Sequence, residues 1–580
     1  MSCTDDDFYI SDEDLGIERP NDGDLPAFAN TIPAWNGEKA DDASSDVVGS
    51  SNKIYHENNT FPNNITVTYN GENATIECSN SNIICHTSGA YVTIDMITNG
   101  ISGNTAITLT GNSANGGLKI YGSNKVKLLL DGIELTSGHG PAINNQCKKA
   151  LFVHLTDGTT NKLSDCITYT EDDYYTSGAS SLSEDRKGCF FSEGYMVFSG
   201  KGILTVAAKY RHGIVTDSYL YTRPGVTIAV TETAKNAIHA KGDTDDGLGV
   251  NIDGGLIYAN VPSAAGKGIK TDLNVDICGG KVLINTTGDS GYDAETNDTS
   301  SPTGIKSDGN ININGGVIEI RSSGSGGKGL NANGTITIAG GNSTIVTTGI
   351  KYIYTEELTS SPKGVKADGN INITGGTLNV AVTGKHDGSE GLESKSSLNV
   401  SGGEAYVYAY DDAINISSDI NISGGRIYAY SSNNDGIDAN GTITVNDGLV
   451  IGIGASAPES GIDVDTGEQL LLNGGTAIVM GGTLQSSPSA ASRQRSIICN
   501  DIPVSKDQNI AILGISSTPI VTFSCPRSMS STTFLFNSPG ITTGTNYTVS
   551  AGGSLSNYSD NWNCWYSGGN WSGGNTIATF

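Results

Sequence analysis

Thr303-Gly304-Ile305-Lys306-Ser307-Asp308 and Lys363-Gly364-Val365-Lys366-Ala367-Asp368 are two copies of one phrase. It appears earlier as Lys267-Gly268-Ile269-Lys270-Thr271-Asp272 and between them as Lys328-Gly329-Leu330-Asn331. Downstream it returns as Glu390-Gly391-Leu392-Glu393, Asp412-Ala413-Ile414-Asn415, Asp435-Gly436-Ile437-Asp438 and Ser460-Gly461-Ile462-Asp463, recurring every 22 to 36 residues. A second phrase lies between the copies: Ile311-Asn312-Ile313-Asn314-Gly315-Gly316, Ile371-Asn372-Ile373-Thr374-Gly375-Gly376 and Ile420-Asn421-Ile422-Ser423-Gly424-Gly425. Self-similarity at this period signals a solenoid or an array.

Inside each repeat apolar and polar residues alternate, so one face of each short strand is buried and the other meets water. A Gly-Gly or Asp-Gly corner follows, as at Asp447-Gly448, and then a second alternating run such as Arg426-Ile427-Tyr428-Ala429-Tyr430. With the Gly-Ile strand, this makes three strands and three corners per repeat. The pattern predicts an all-β chain built as a parallel β-helix of three-strand coils, each covering its neighbour's open edges. An antiparallel barrel or sandwich would not return one motif in the same phase. The β-helix is expected over residues 56–485. The period is lost after about Ser486, so residues 486–580 are read as a small β-rich cap or β-sandwich closing the solenoid end. Trp562, Trp565, Tyr566 and Trp571 cluster there, as closure of a terminal core or as rings for stacking on sugars.

The chain has 580 residues, too many for one compact core, and 77 glycines that suit many tight turns. Its formal net charge of −28 argues against nucleic acid, whose phosphates it would repel. No run of about 18 apolar residues is present, so no membrane span is expected. Met1-Ser2-Cys3-Thr4-Asp5-Asp6-Asp7 looks like the junction left by a trimmed bacterial lipoprotein signal. That makes Cys3 the candidate lipidation residue, residues 1–55 an acidic flexible tether, and the bacterial outer-membrane surface the expected location. The other cysteines form no C-x-x-C pair, so zinc is not expected, and bridging of Cys78 to Cys85 stays open.

Equivalent residues of stacked coils lie about 4.8 Å apart. The outward residue after the Ile reads His239, Lys270, Lys306, Asn331, Lys366, Glu393, Asn415, Asp438, Asp463. The residue before the Gly reads Lys187, His212, Asn236, Lys267, Thr303, Lys328, Lys363, Glu390, Asp412, Asp435, Ser460. Both columns turn from cationic to acidic between Lys366 and Glu390. Stacked carboxylates repel unless a counter-charge intervenes. Glu390, Glu393, Asp412, Asp435, Asp438 and Asp463, with Asp387, Asp411 and Glu459 nearby, therefore form a candidate Ca²⁺ ligand set of hard oxygens, set against a merely solvated acidic face. Lys267, Lys270, Lys306, Lys328, Lys363 and Lys366 form a candidate ridge for a polyanion carrying carboxylates, set against simple pairing with acids such as Asp272 and Asp308. Two longer excursions, 287–302 and 348–362, both end in Thr-Ser-Ser-Pro and add Tyr292, Tyr352 and Tyr354 as candidate ligand contacts.

Catalytic signatures are thin. Gly138-His139-Gly140 is read as a turn, since no Arg-x-Lys follows it. A lysine base, Lys363 or Lys366 beside Glu390, keeps a polysaccharide lyase as the alternative. No catalytic residue is assigned.

Leu128-Leu129-Leu130-Asp131-Gly132-Ile133-Glu134-Leu135, Gly140-Pro141-Ala142-Ile143-Asn144, Leu155-Thr156-Asp157-Gly158, Gly200-Lys201-Gly202-Ile203-Leu204-Thr205-Val206 and His212-Gly213-Ile214-Val215, followed by the Gly-Ile-Lys repeats, resemble a bacterial family. These are the carbohydrate-binding domain-containing proteins, secreted or lipid-anchored, with right-handed β-helices like those of pectate lyases. The resemblance spans residues 60–480. It implies Ca²⁺ between coils and binding of acidic polysaccharides such as polygalacturonate or pectin, without established catalysis. The calcium role carries onto Glu390, Glu393, Asp411, Asp412, Asp435, Asp438 and Asp463, with Asn415 and Ser460 interrupting the pattern. The expectation is a monomeric, non-catalytic, Ca²⁺-assisted polysaccharide binder at the cell surface; the alternatives are a lyase and a structural or adhesive protein.

Overall fold

The computed structural model describes residues 32–33, 51–170, 184–515 and 518–580. Cys3 and nearly all of the expected tether lie outside these. The described chain is all-β, with large sheets rich in parallel pairings, and none of its helices is long and apolar enough to cross a membrane. It divides into an N-terminal unit, residues 32–343 and 352–360, and a C-terminal unit, residues 344–351 and 361–580.

Across the lysine-bearing repeats of the N-terminal unit, three strands per repeat lie in parallel register on their counterparts in the next repeat. Lys267–Thr271 pairs with Thr303–Ser307, which pairs with Lys328–Ala332. Asn274–Ile277 pairs with Ile311–Ile313, which pairs with Ile336–Ile338. Lys281–Thr286 pairs with Val317–Ser322. Alternation then decides burial: Ile305, Leu330, Ile311, Ile313, Ile336 and Ile338 are fully buried, while the residues between them reach the surface. The motif glycine has a steric cause. A Cβ on Gly304 would lie 2.3 Å from Ile320 Cγ2 and 2.8 Å from the Gly329 carbonyl oxygen. The short strand passes so close to the third strand's branched side chain that only glycine fits.

Ser51–Ile54 forms one helical turn, Lys53 pairs with Asp246, and Arg223 is buried against the Tyr55 ring with Glu57 as its ion partner. One register differs from the expected column. Gly188 pairs with His212 and Phe190 with Ile214, so Lys187 falls outside the column that Lys267 and Lys328 occupy.

In the C-terminal unit Lys363–Ala367, Glu390–Ser394, Ile414–Ile416, Ile437–Ala439 and Ile462–Val464 stack in parallel. The other two strands of each repeat run together across the Gly-Gly corner into Ile371–Val382, Leu398–Ala409 and Ile420–Ser431. Past the repeats, Thr533–Asn537 runs antiparallel to Thr476–Gly481, and a six-stranded sheet is built from 509–513, 519–524, 548–556, 560–562, 565–567 and 570–579. Ile451, Ile478 and Met480 share one apolar cluster with Ile510, Phe523, Phe534 and Phe536. Trp562 is buried against Tyr406, with ring centroids 4.9 Å apart, as a core-closing residue.

Candidate functional site

The register sets the outward columns. His239, Lys270, Lys306 and Asn331 lie side by side in the N-terminal unit. Lys366, Glu393, Asn415, Asp438 and Asp463 do so in the C-terminal unit. In the companion column Lys267, Thr303 and Lys328 align in the first unit, and Lys363 with Glu390 in the second.

Within each unit the lysines differ in what holds them. Lys270 Nζ donates to Asp272 at 3.0 Å and Asp308 at 3.4 Å. Lys306 lies 3.2 Å from Asp308 and also donates to Asn333. Lys267 donates to the Ala265 carbonyl and to Ser300 Oγ, both at 2.7 Å. Burial, and then the nearby charges of Lys270, Lys235 and Lys306, pull the Lys267 ammonium down to about 8. Lys328 is buried and donates to Ser301 Oγ and Ser360 Oγ. Lys363 is equally buried, 2.7 Å from Glu390 and 3.2 Å from Glu393.

Glu393 is the acid that the lysines neutralise. Burial alone would raise its carboxyl, but Lys363, Lys366 and Lys395 outweigh that and hold it at about 2. Removing the central cation leaves buried charge uncompensated, so Lys363→Met is expected to cost about 3 kcal/mol, read from the urea midpoint.

Apart from Glu390, which shares Lys363 with Glu393, the remaining carboxylates lack such partners. Oxygens of Glu390, Asp411 and Asp412 lie within 4.8 Å of one another. Asp411 accepts from Asn434 Nδ2 at 2.9 Å and from the Gly388 amide. Asp412 accepts from the Asp435 amide at 3.0 Å, and Asp435 from the Ser460 amide at 2.5 Å, so each carboxylate caps the next repeat. Asp463 accepts from Ser486 Oγ at 2.8 Å. Among the described residues none of Asp411, Asp412, Asp435, Asp438 and Asp463 forms an ion pair with a cationic side chain. Burial, then Asp411, Asp438 and Glu390, push Asp412 up to about 9. Burial also lifts Asp435 to about 7; the Ser460 amide opposes this, and Glu459, Asp463 and Asp438 add to it. Asp438 rises to about 6 through burial, Asp463 and Asp465. Glu459 is raised by burial, Asp411 and Asp463. Asp387 is exposed on the turn before Glu390 and stands outside the tight group. Clustered hard oxygens whose charge is mutually unfavourable fit a divalent cation such as Ca²⁺.

A second convergence, Asp185, Glu193 and Asp217, carries no spacing by which the sequence could announce it. There Lys187 supplies the counter-charge, 2.8 Å from Asp185 and 2.6 Å from Asp217.

The two long excursions form antiparallel hairpins, Gly291–Asp293 with Asp298–Ser300 and Tyr352–Ile353 with Thr359–Ser360. They bring Tyr292 and Tyr354 into a parallel stack, centroids 4.6 Å apart and planes 9° apart, while Tyr352 is half-buried outside it.

The model of the carbohydrate-binding domain-containing protein family matches residues 88–245, 223–351 and 354–436. The chain belongs to this family. The carbohydrate-binding family's matched segments include all six lysines, Tyr292 and Tyr354, and the acids from Asp387 to Asp435; Tyr352 falls between two segments, and Asp438, Glu459 and Asp463 lie beyond them. Among solved structures, a polysaccharide lyase-like protein from C. thermocellum is similar at 19% identity over 53% of this chain and 96% of its own, with a TM-score of 0.34. That likeness is too distant to argue from. No curated protein matches the chain.

Proposed function

We propose that this chain binds an acidic polysaccharide, of polygalacturonate type, in a Ca²⁺-assisted and non-catalytic way. Its frame is a right-handed parallel β-helix of three-strand coils, monomeric and held at the bacterial cell surface through Cys3. Family membership supports a polysaccharide as the ligand. The observation that carries the calcium reading is the group Glu390, Asp411 and Asp412, continued by Asp435, Asp438, Glu459 and Asp463, in which buried carboxylates outnumber the cations that face them. Those residues would hold the ion, which when bound supplies positive charge for uronate oxygens. Glu393 would instead stay fixed by its lysines. Lys270 and Lys306 of the N-terminal unit and Lys366 of the C-terminal unit remain partly exposed for ligand carboxylates. Lys363, the candidate base for elimination, is held between Glu390 and Glu393, which favours binding without chemistry.

The test is retention on polygalacturonate with Ca²⁺ and with EGTA, with ultraviolet absorbance followed for unsaturated uronate. Retention abolished by EGTA, with flat absorbance, is the expected result. Rising absorbance would make the protein a lyase. Absence of retention in Ca²⁺ would leave a structural or adhesive role.

A further inference from the structure

Hairpins at 287–302 and 352–360 combine two features. They turn aromatic and aliphatic surface outward: Tyr292 is 39% exposed, Tyr354 50% and Ile353 60%. They also carry Asp289, Asp293, Glu295, Asp298, Glu356 and Glu357 without one Lys, Arg or His.

Neither hairpin is left loose. At the base Ser301 Oγ and Ser360 Oγ lie 2.7 Å apart, and the buried Lys328 ammonium donates to both. Thr299 Oγ1 donates to the Thr359 carbonyl at 3.2 Å, and at the tips the two tyrosines stack. The Tyr292 hydroxyl donates to Asn297 Oδ1 at 2.8 Å, which fixes its ring within its own hairpin. Each ring covers one face of the other, so the remaining exposure falls on outer faces and edges. A prearranged aromatic surface of this kind loses little conformational entropy on binding.

We infer that the Tyr292–Tyr354 stack is a second saccharide subsite, distinct from the carboxylate column, and that it takes uncharged pyranose residues without calcium. The C–H face of a pyranose is apolar and slightly positive, and it matches the negative face of a tyrosine ring. The flanking carboxylates accept hydroxyl hydrogen bonds from a neutral sugar, whereas a uronate would meet like charge on both hairpins. The inference rests on the polysaccharide-binding reading but not on the calcium or the acidic ligand proposed for the other site.

Affinity electrophoresis of the whole chain in EGTA, through gels containing xyloglucan, galactomannan, mixed-linkage β-glucan or polygalacturonate, tests it. At least one neutral polymer is expected to retard the protein, and polygalacturonate is not. Tyr292→Ala and Tyr354→Ala are each expected to weaken that retention about tenfold, with unchanged melting temperature because both rings stand at the surface. Glu356→Lys combined with Glu357→Lys is expected to admit polygalacturonate in EGTA, a gain that survives even if a tyrosine variant misfolds. Retention by no neutral polymer, or Tyr354→Ala retained as strongly as the unmodified chain, overturns the subsite. Retention by polygalacturonate in EGTA before any charge reversal overturns its selectivity. Failure of calcium-dependent uronate binding would show only in the Ca²⁺ arm, and leaves these outcomes untouched.

Discussion

Gly304→Val is expected to destabilise the protein by about 3 kcal/mol or more, the upper range for overpacking a tight interior. A Cβ there stands 2.3 Å from Ile320 Cγ2 and 2.8 Å from the Gly329 carbonyl oxygen, and the second of these contacts is backbone paired to the neighbouring strand. A side-chain clash can relax by a rotamer change, whereas a backbone clash has to displace the strand. Gly304→Ala combined with Ile320→Ala separates the two. It removes the Cγ2 contact and keeps the carbonyl contact, so the pair is expected to cost less than the sum of the single changes while staying below the unmodified chain. Gly132 gives the comparison: its φ is +71°, but a Cβ there meets nothing within 4 Å, so Gly132→Ala is expected to cost only about 1 kcal/mol. Urea midpoints of these three variants, and of Gly304→Ala and Ile320→Ala singly, provide the check. Equal losses at Gly304 and Gly132 would mean that backbone conformation, not strand proximity, explains the motif glycine.

The same proximity explains why so much of the architecture is legible in the sequence. Parallel stacking returns each repeat to the same surroundings, so the requirement met at Gly304 recurs at Gly268 against Ile284 and at Gly364 against Val380. At these positions the chain answers with the same phrase, with Ala413 in the glycine's place one repeat beyond Gly391, and the outward residue after each Ile falls into register. Register fails as a guide where the phrase is damaged. At Lys187-Gly188-Cys189-Phe190 the buried Phe190 sets the alignment with Ile214, and the Lys-Gly pair slips by one. Side-chain partners are less legible than columns. Lys328 and Lys306 carry the same charge at related positions, yet Lys328 turns inward because two distant hairpins bring Ser301 and Ser360 to it. The Tyr292–Tyr354 stack likewise depends on two excursions meeting in space, which no local pattern states. The acidic column was legible as charge; what the structure adds is that Glu393 is neutralised and Asp412 is not.

In EGTA the melting temperature is expected to fall as pH rises from 5 to 9, the reverse of an ordinary salt-bridged protein. Asp412, Asp435 and Asp438 are held in the folded chain at about 9, about 7 and about 6. An unfolded aspartate releases its proton near pH 4. Between that pH and each folded value the native state binds more protons than the unfolded state, so stability declines with pH until each group has ionised. Glu393 works in the opposite sense: held at about 2, it contributes stability above roughly pH 4 that is lost as the solution is acidified further. The maximum without calcium is therefore expected at about pH 4. Calcium should reverse the alkaline decline. At pH 8 an ion present at a hundredfold over its Kd stabilises the folded chain by about 2.7 kcal/mol, and at pH 5 competing protons reduce that gain. Asp412→Asn discriminates this account from a solvated acidic face. In EGTA at pH 8 it removes the cost of holding that carboxyl protonated in the folded chain and is expected to raise the melting temperature; in Ca²⁺ it removes a ligand and is expected to abolish most of the calcium shift. A purely solvated face would move little in either buffer, and a full calcium shift in Asp412→Asn would place the ion away from this cluster.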